Sequence, residues 1–118
     1  MSYYLTIDDA AVDPNPAAPG ANYDIAVTIK NTGDTTAERV FVCFQVLNGY
    51  SRSIEEDGWN LDLAPGESAS KKWTCAAPST AGNYTVNVFA DSTETIAGVS
   101  GAGQGDKKGI VLRVEAGA

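Results

Sequence analysis

Glu55-Glu56-Asp57 is the densest group of chemically capable side chains in this sequence. Two carboxylates can act as acid and base in glycoside hydrolysis, but only when they face each other across a cleft, and neighbours on one loop do not. The run is therefore expected to be a solvated loop. Histidine is absent, which removes the commonest general base together with any Ser-His or Cys-His nucleophile system. No enzymatic activity and no cofactor are expected. Calcium would need several oxygen ligands carried on flexible loops. Asp91, Glu94 and Asp106 flank a glycine-rich stretch, and Asp8, Asp9 and Asp13 lie near the first strand, yet no spacing matches a calcium-binding loop and no metal site is assigned. Asn83-Tyr-Thr85 fits the glycosylation acceptor pattern; it reads first as a turn leading into a strand.

Such side chains need a frame. The 118 residues fit one domain, 1–118, large enough to bury a core without disulfides or metal. The net charge of −7 and pI near 4.3 argue against a nucleic-acid partner, since a chain repelled by phosphates gains nothing from counterion release. No apolar run reaches the roughly 20 residues that a membrane helix needs, so no membrane association is expected. The opening residues lack both a basic region and an apolar region, and no signal peptide is expected in them. Two origins fit: a domain excised from an exported protein, or a whole protein, such as a virion component, that leaves the cell without the general export route.

No window of about a dozen residues keeps a helical apolar stripe, whereas alternation of period two recurs along the chain. Tyr3 to Ile7 reads as a strand that ends before Asp13-Pro-Asn-Pro. Tyr23, Ile25, Val27 and Ile29 form the clearest strand, closed by the turn Asn31-Thr-Gly-Asp34, in which Asn and Gly tolerate positive φ. Strands follow at Arg39 to Leu47, Trp59 to Leu63, Ser68 to Ala76, Tyr84 to Ala90 and Ile110 to Val114. About seven short strands joined by turns predict an all-β Greek-key sandwich of the immunoglobulin type. Gly98 to Gly105 reads as a flexible loop. Tyr84, just inside its strand, is placed to tie a sandwich corner through its hydroxyl.

Three segments, in this order, resemble the CARDB family of immunoglobulin-like domains related to bacterial cell adhesion. They are Ile25-Ala-Val-Thr-Ile-Lys-Asn-Thr-Gly33 with Ala37; Leu63-Ala-Pro-Gly-Glu67 leading to Lys72-Trp-Thr74; and Ala81-Gly-Asn-Tyr-Thr-Val-Asn-Val88 followed by Asp91. The likeness spans roughly residues 3 to 115. It lacks the acidic, Asn-rich patch usual before the last strand, where the glycine-rich loop stands instead. The resemblance implies a sandwich with an interaction or spacer role, typically one module among others on an exported protein.

It also implies that Val40, Val42, Phe44 and Val46 face the core, so that Phe41 and Cys43 point outward, beside Phe89 of the neighbouring strand. These three are the candidate surface for a protein partner, including a second copy of the chain. Cys75 shares its parity with Trp73 and Ala69, the inward set, and the family's strand order places it on the other sheet from Cys43. No intrachain disulfide is therefore expected. Tyr50, Trp59, Gly101 and Gly103 are candidate loop contacts, for a protein or a glycan, with Trp59 read first as covering the core edge. The expected role is a non-enzymatic structural or adhesion module outside a larger assembly, in a virion (head decoration or tail) or at a cell surface. The alternative is a carbohydrate- or surface-binding module of an exported bacterial or archaeal protein.

Overall fold

The computed structural model describes residues 2–48, 52–91, 93, 96, 101 and 103–117. Seven strands, β1 (Leu5–Asp13), β2 (Asn22–Asn31), β3 (Ala37–Asn48), β4 (Arg52–Leu63), β5 (Ser68–Ala76), β6 (Gly82–Ala90) and β7 (Lys107–Val114), follow one another without a helix among the described residues. They form two antiparallel sheets of order β1-β2-β5 and β4-β3-β6-β7. The fourth strand thus pairs with β3 and leaves the first sheet with three strands. The body measures 50 × 22 × 16 Å.

Alternation explains the core. Tyr23, Ile25, Val27 and Ile29 of β2 face Val40, Val42, Phe44 and Val46 of β3 and Tyr84, Val86 and Val88 of β6, and all are buried. The rings of Phe44 and Trp73 meet at 5.0 Å between centroids, tilted by 55°. Trp73 Nε1 is buried with no hydrogen-bond partner among the described residues, a desolvation cost of about 1–3 kcal/mol set against that ring packing.

Three strands run further than the alternation suggests. β1 continues past Ile7 to Asp13 because a bulge falls between Ile7 and Asp9. Leu5 and Ile7 turn inward before it, and Ala10 and Val12 after it. One extra residue reverses parity, so Asp8-Asp9 looks like an ending when it is a slip. β4 begins at Arg52, well ahead of Trp59. β7 begins at Lys107, since two lysines and Gly109 hide the strand that pairs with β6 from Phe89 onward.

Asn31, fully buried, holds one end of the sandwich. Its Nδ2 donates to the carbonyls of Thr35 (2.9 Å) and Leu63 (3.0 Å), and its Oδ1 accepts from the Gly33 N–H at 3.0 Å. Its backbone accepts from Gly66 N–H and donates to the Glu67 carbonyl. One side chain thereby joins the β2–β3 turn to the end of β4.

The two long flanks of the sandwich differ. Along one, β1 is sewn to the last strand's segment at both ends. Leu5 N–H donates to Gln104 O (2.9 Å) and Asp106 N–H to Leu5 O (2.9 Å); beyond the far end of β1, Ala17 N–H donates to Arg113 O (2.8 Å) and Glu115 N–H to Ala17 O (3.0 Å). The corresponding bridges, Leu5 with Gly105 and Ala17 with Val114, are parallel. On the opposite flank, among the described residues, no strand pairing joins β4 to β5.

Candidate functional site

Phe41, Cys43 and Phe89 do point away from the main core, but they are not a surface. Their exposures are 6%, 1% and 2%, and Ile96, at 1%, completes a second apolar cluster with them on the outer face of the four-stranded sheet. Phe41 lies over Gly58, where any Cβ would overlap its ring. The Lys107 ammonium stands 5.1 Å from the centre of the Phe89 ring, within cation–π range. Parity predicts which face a residue takes; it cannot show that the chain's own Ile96 packs over that face. An accessible patch at Phe41, Cys43 and Phe89 is therefore corrected to a buried one.

Two carboxylates, Asp91 and Asp106, make the contacts around residues 103–106. Asp91, 2% exposed and at φ 53°, accepts from Tyr3 Oη (2.8 Å) and from Gln104 N–H (3.2 Å) through Oδ2. Asp106 accepts from Tyr4 Oη (2.7 Å) through Oδ1 and from Ile7 N–H (3.0 Å) through Oδ2. Gly101 and Gly103, expected as loop contacts, lie here: a Cβ on Gly101 would overlap the Asp91 carboxylate, and Gly103 takes φ 86° and donates its N–H to the Asp91 carbonyl. Among the described residues no three His, Cys, Asp or Glu side chains gather as a metal would need.

Burial first, then the neighbouring Asp91, raise the Tyr3 phenol to about 12. A phenol whose folded value exceeds its unfolded one favours the folded state below the unfolded value, about 10, and that contribution is lost as pH rises through the interval to 12. Stability is expected to fall between pH 10 and 12, less steeply in Tyr3→Phe than in the parent, as read by urea midpoints across that range. Identical slopes would remove Tyr3 from the account.

Glu55, Glu56 and Asp57 belong to β4, not to a loop. Glu55 pairs with Val46, Asp57 with Phe44 and Trp59 with Val42, so Glu55, Asp57 and Trp59 share the inward parity at the open flank. Trp59 packs against the core from this strand and is not a loop residue. Tyr50 lies outside the described residues. Glu55 lies near two buried groups, the Cys75 thiol and the Tyr23 phenol, whose protonation its charge affects. Burial chiefly, then the Glu55 charge, push the Cys75 thiol up to about 11, and burial raises the Tyr23 phenol further.

Tyr23 and Glu55 line a cleft of about 510 Å³, together with Val46, Asn48, Tyr84, Asn83 and the β5–β6 connection from Pro78 to Ala81. That connection is tied by Tyr84, whose hydroxyl donates to the Thr80 carbonyl at 2.7 Å, the corner tie expected of that residue. Sequence reasoning missed the cleft because its polar groups come from four strands and a connection. The parity of Glu55 with Trp59 was the available signal.

The two thiols occupy separate clusters, and neither forms a disulfide. Both are buried, which corrects the view of Cys43 as a surface thiol. Native protein is expected to react slowly with a thiol-specific reagent at pH 7 and to release two equivalents in urea without reductant. Fewer than two would indicate a Cys43–Cys75 bond.

Two antiparallel sheets, a tyrosine corner, and β3 and β5 on opposite sheets define an immunoglobulin-like β-sandwich. The chain belongs to the CARDB family, whose sequence profile matches residues 4–100; this is a family of non-catalytic modules. A CARDB domain from Pyrococcus furiosus is similar in solution, with TM-score 0.66 and 19% identity over 95% of this chain and 93% of that one. A crystal structure of the same domain in complex with di-metal ions gives 0.67 and 18% over 97% and 88%. The sandwich also matches part of a cycloisomaltooligosaccharide glucanotransferase from Paenibacillus (0.70, 12% identity), covering 99% of this chain and 15% of the enzyme. Comparison with curated protein sequences finds no match.

Proposed function

We propose that this chain is a non-catalytic structural module held on the exterior of a larger assembly, and that the assembly is a virion in which it decorates the head or accompanies the tail. The observation that carries this reading is the pole-to-pole path of the chain through a 50 Å body. β1 starts beside the Asn31 turns and β7 ends beside Gly82 and Ala17, at the other pole. Such a body spaces or braces its neighbours along its long axis.

The carboxylates weighed for calcium support the same reading. Asp91 and Asp106 are occupied by tyrosine hydroxyls and backbone N–H groups. The test is immunogold labelling of purified particles from the source culture. Regularly spaced label on intact particles is the expected result; label confined to the soluble fraction would overturn the virion setting. A panel of chromogenic glycosides and esters is expected to show no turnover, and hydrolysis lost in Glu55→Gln would overturn the non-catalytic part.

A further inference from the structure

We infer that the open flank between β4 and β5 is a dimerisation surface, on which the β5 edge of one copy pairs with the β4 edge of a second, and the reverse, about a two-fold axis.

Backbone hydrogen bonding fixes which groups are turned to this flank. Asn31 N–H donates to Glu67 O and Ala77 N–H to Ala21 O, one at each end of the unbroken β2–β5 register. The odd-numbered residues of β5 therefore bond to β2, and Ser68, Ser70, Lys72, Thr74 and Ala76 turn their N–H and C=O groups away from it. Asp91 N–H donates to Phe41 O, so the odd-numbered residues of β3 bond to β6 and the even-numbered ones to β4. On β4 this leaves Gly58, Asn60 and Asp62 turned to the flank. All of these residues but Gly58 are exposed, and no described strand pairs with either edge. Between the edges Trp59, Leu61 and Ala69 pack against the core while only partly buried. The flank is thus an apolar strip between two polar rims, as in a protein interface.

A regular edge with neither bulge nor proline is a template for another strand, and β5 has neither. The charges choose which strand. β5 carries Lys71 and Lys72 and no acid, whereas β4 from Asp57 to Leu63 carries Asp57 and Asp62 and no base. These aspartates accept backbone N–H groups, from Gly58 and from Arg39, which leaves their charge in place. Arg39 itself is balanced by its neighbour Glu38.

Two symmetric arrangements bring flank to flank. An axis perpendicular to the sheets sets β5 on β5 and β4 on β4, like charge on like, which is unfavourable between facing strands. An axis along the strands sets β5 on β4 in both sheets, unlike charge on unlike. β4 ends and β5 begins at one pole, where Asn31 bonds to Leu63 and Glu67, so the two strands run in opposite directions and this second arrangement is antiparallel. It also meets level, with Ser70 to Thr74 against Gly58 to Asp62 of the second copy. Each β1-β2-β5 sheet then continues into the β4-β3-β6-β7 sheet of the other copy, and the contact closes on itself as two-fold homodimers do.

The test is sedimentation equilibrium of the full chain, with reductant present, from micromolar to millimolar concentration. The mass is expected to rise from 12.3 kDa towards twice that value. Ser70→Pro removes an N–H that β2 does not use, at an edge position where proline is tolerated. It is expected to weaken the dimer about tenfold, since one hydrogen bond is lost at each of two junctions, with the circular dichroism of a folded chain. Lys72→Glu and Asn60→Lys each set like charges together across both junctions and are expected to weaken the dimer about fivefold; combined, they should restore most of the loss. A chain monomeric throughout the range would overturn the inference. So would a dimer weakened by neither Ser70→Pro nor Lys72→Glu, because it would use another surface. Tightening by Asn60→Lys alone would overturn the pairing of unlike edges in favour of β4 on β4. If Ser70→Pro loses its fold, the two charge variants and their combination decide the matter.

Discussion

Asn31→Ala is expected to destabilise the fold by about 3 kcal/mol, because it strips three hydrogen bonds from a fully buried position. The bond to the Leu63 carbonyl is buried throughout, and its acceptor cannot turn to water without opening the end of β4. The Thr35 carbonyl and Gly33 N–H are partly buried and recover some solvation, which keeps the total below three full penalties. Asn31→Asp separates hydrogen bonding from size. It keeps the acceptor for Gly33 but sets a carboxylate oxygen against two carbonyls, so at neutral pH it should cost as much or more. Protonation restores a donor, and part of the loss should return as pH falls towards the carboxylate range. Urea unfolding followed by tryptophan fluorescence at pH 7 and pH 5 reads both effects. A loss under 1 kcal/mol for Asn31→Ala would show that the two turns are held by their backbones alone.

Gly105→Ala is the second large effect, at about 3 kcal/mol or more. A Cβ there would overlap the carbonyl oxygen of Ala90 and press on its carbon and Cβ. The obstacle is backbone in the middle of a hydrogen-bonded seam, and no rotamer change relieves it. Relief requires the Leu5–Gly105 bridge to open, with the bonds of Leu5 to Gln104 and Asp106 and of Ala90 to Asp106. Gly33→Ala is the control, since its Cβ would overlap the backbone of Ser2 and Tyr3. Those residues precede β1 and can shift at the loss of the short Ser2–Asp34 contacts, so the change should cost clearly less. Equal melting-temperature losses for the two variants would show that the β1 seam yields as easily as the residues before it.

Much of this frame was legible because it depends on neighbours in sequence. The period-two pattern of β2 and β6, the Asn31 turn and the Tyr84 corner each need only a few consecutive residues to be recognised. The Asn31 turn was read as tolerance of positive φ, whereas the side chain's larger role is to bind Leu63, 32 residues away. The second half of β1 was hidden by a bulge that reverses parity at Asp8-Asp9. The first half of β4 was hidden because its inward positions, Glu55 and Asp57, open towards a cleft and so carry charge where alternation expects carbon. The burial of Phe41, Cys43 and Phe89 depends on Ile96, a residue from a glycine-rich neighbourhood with no periodicity of its own. The cleft was illegible for the same reason: its walls meet only after two sheets have packed.

The seam between β1 and the last strand has a mechanical meaning. Its bridges are parallel, and the chain arrives at one pole and leaves at the other. Tension applied along the long axis pulls β1 and β7 in opposite directions past each other. The bonds of Leu5 with Gln104 and Asp106, and of Ala17 with Arg113 and Glu115, are then loaded in shear and share the force, instead of peeling one after another. A module stretched between neighbours would yield only when both ends of that seam break together.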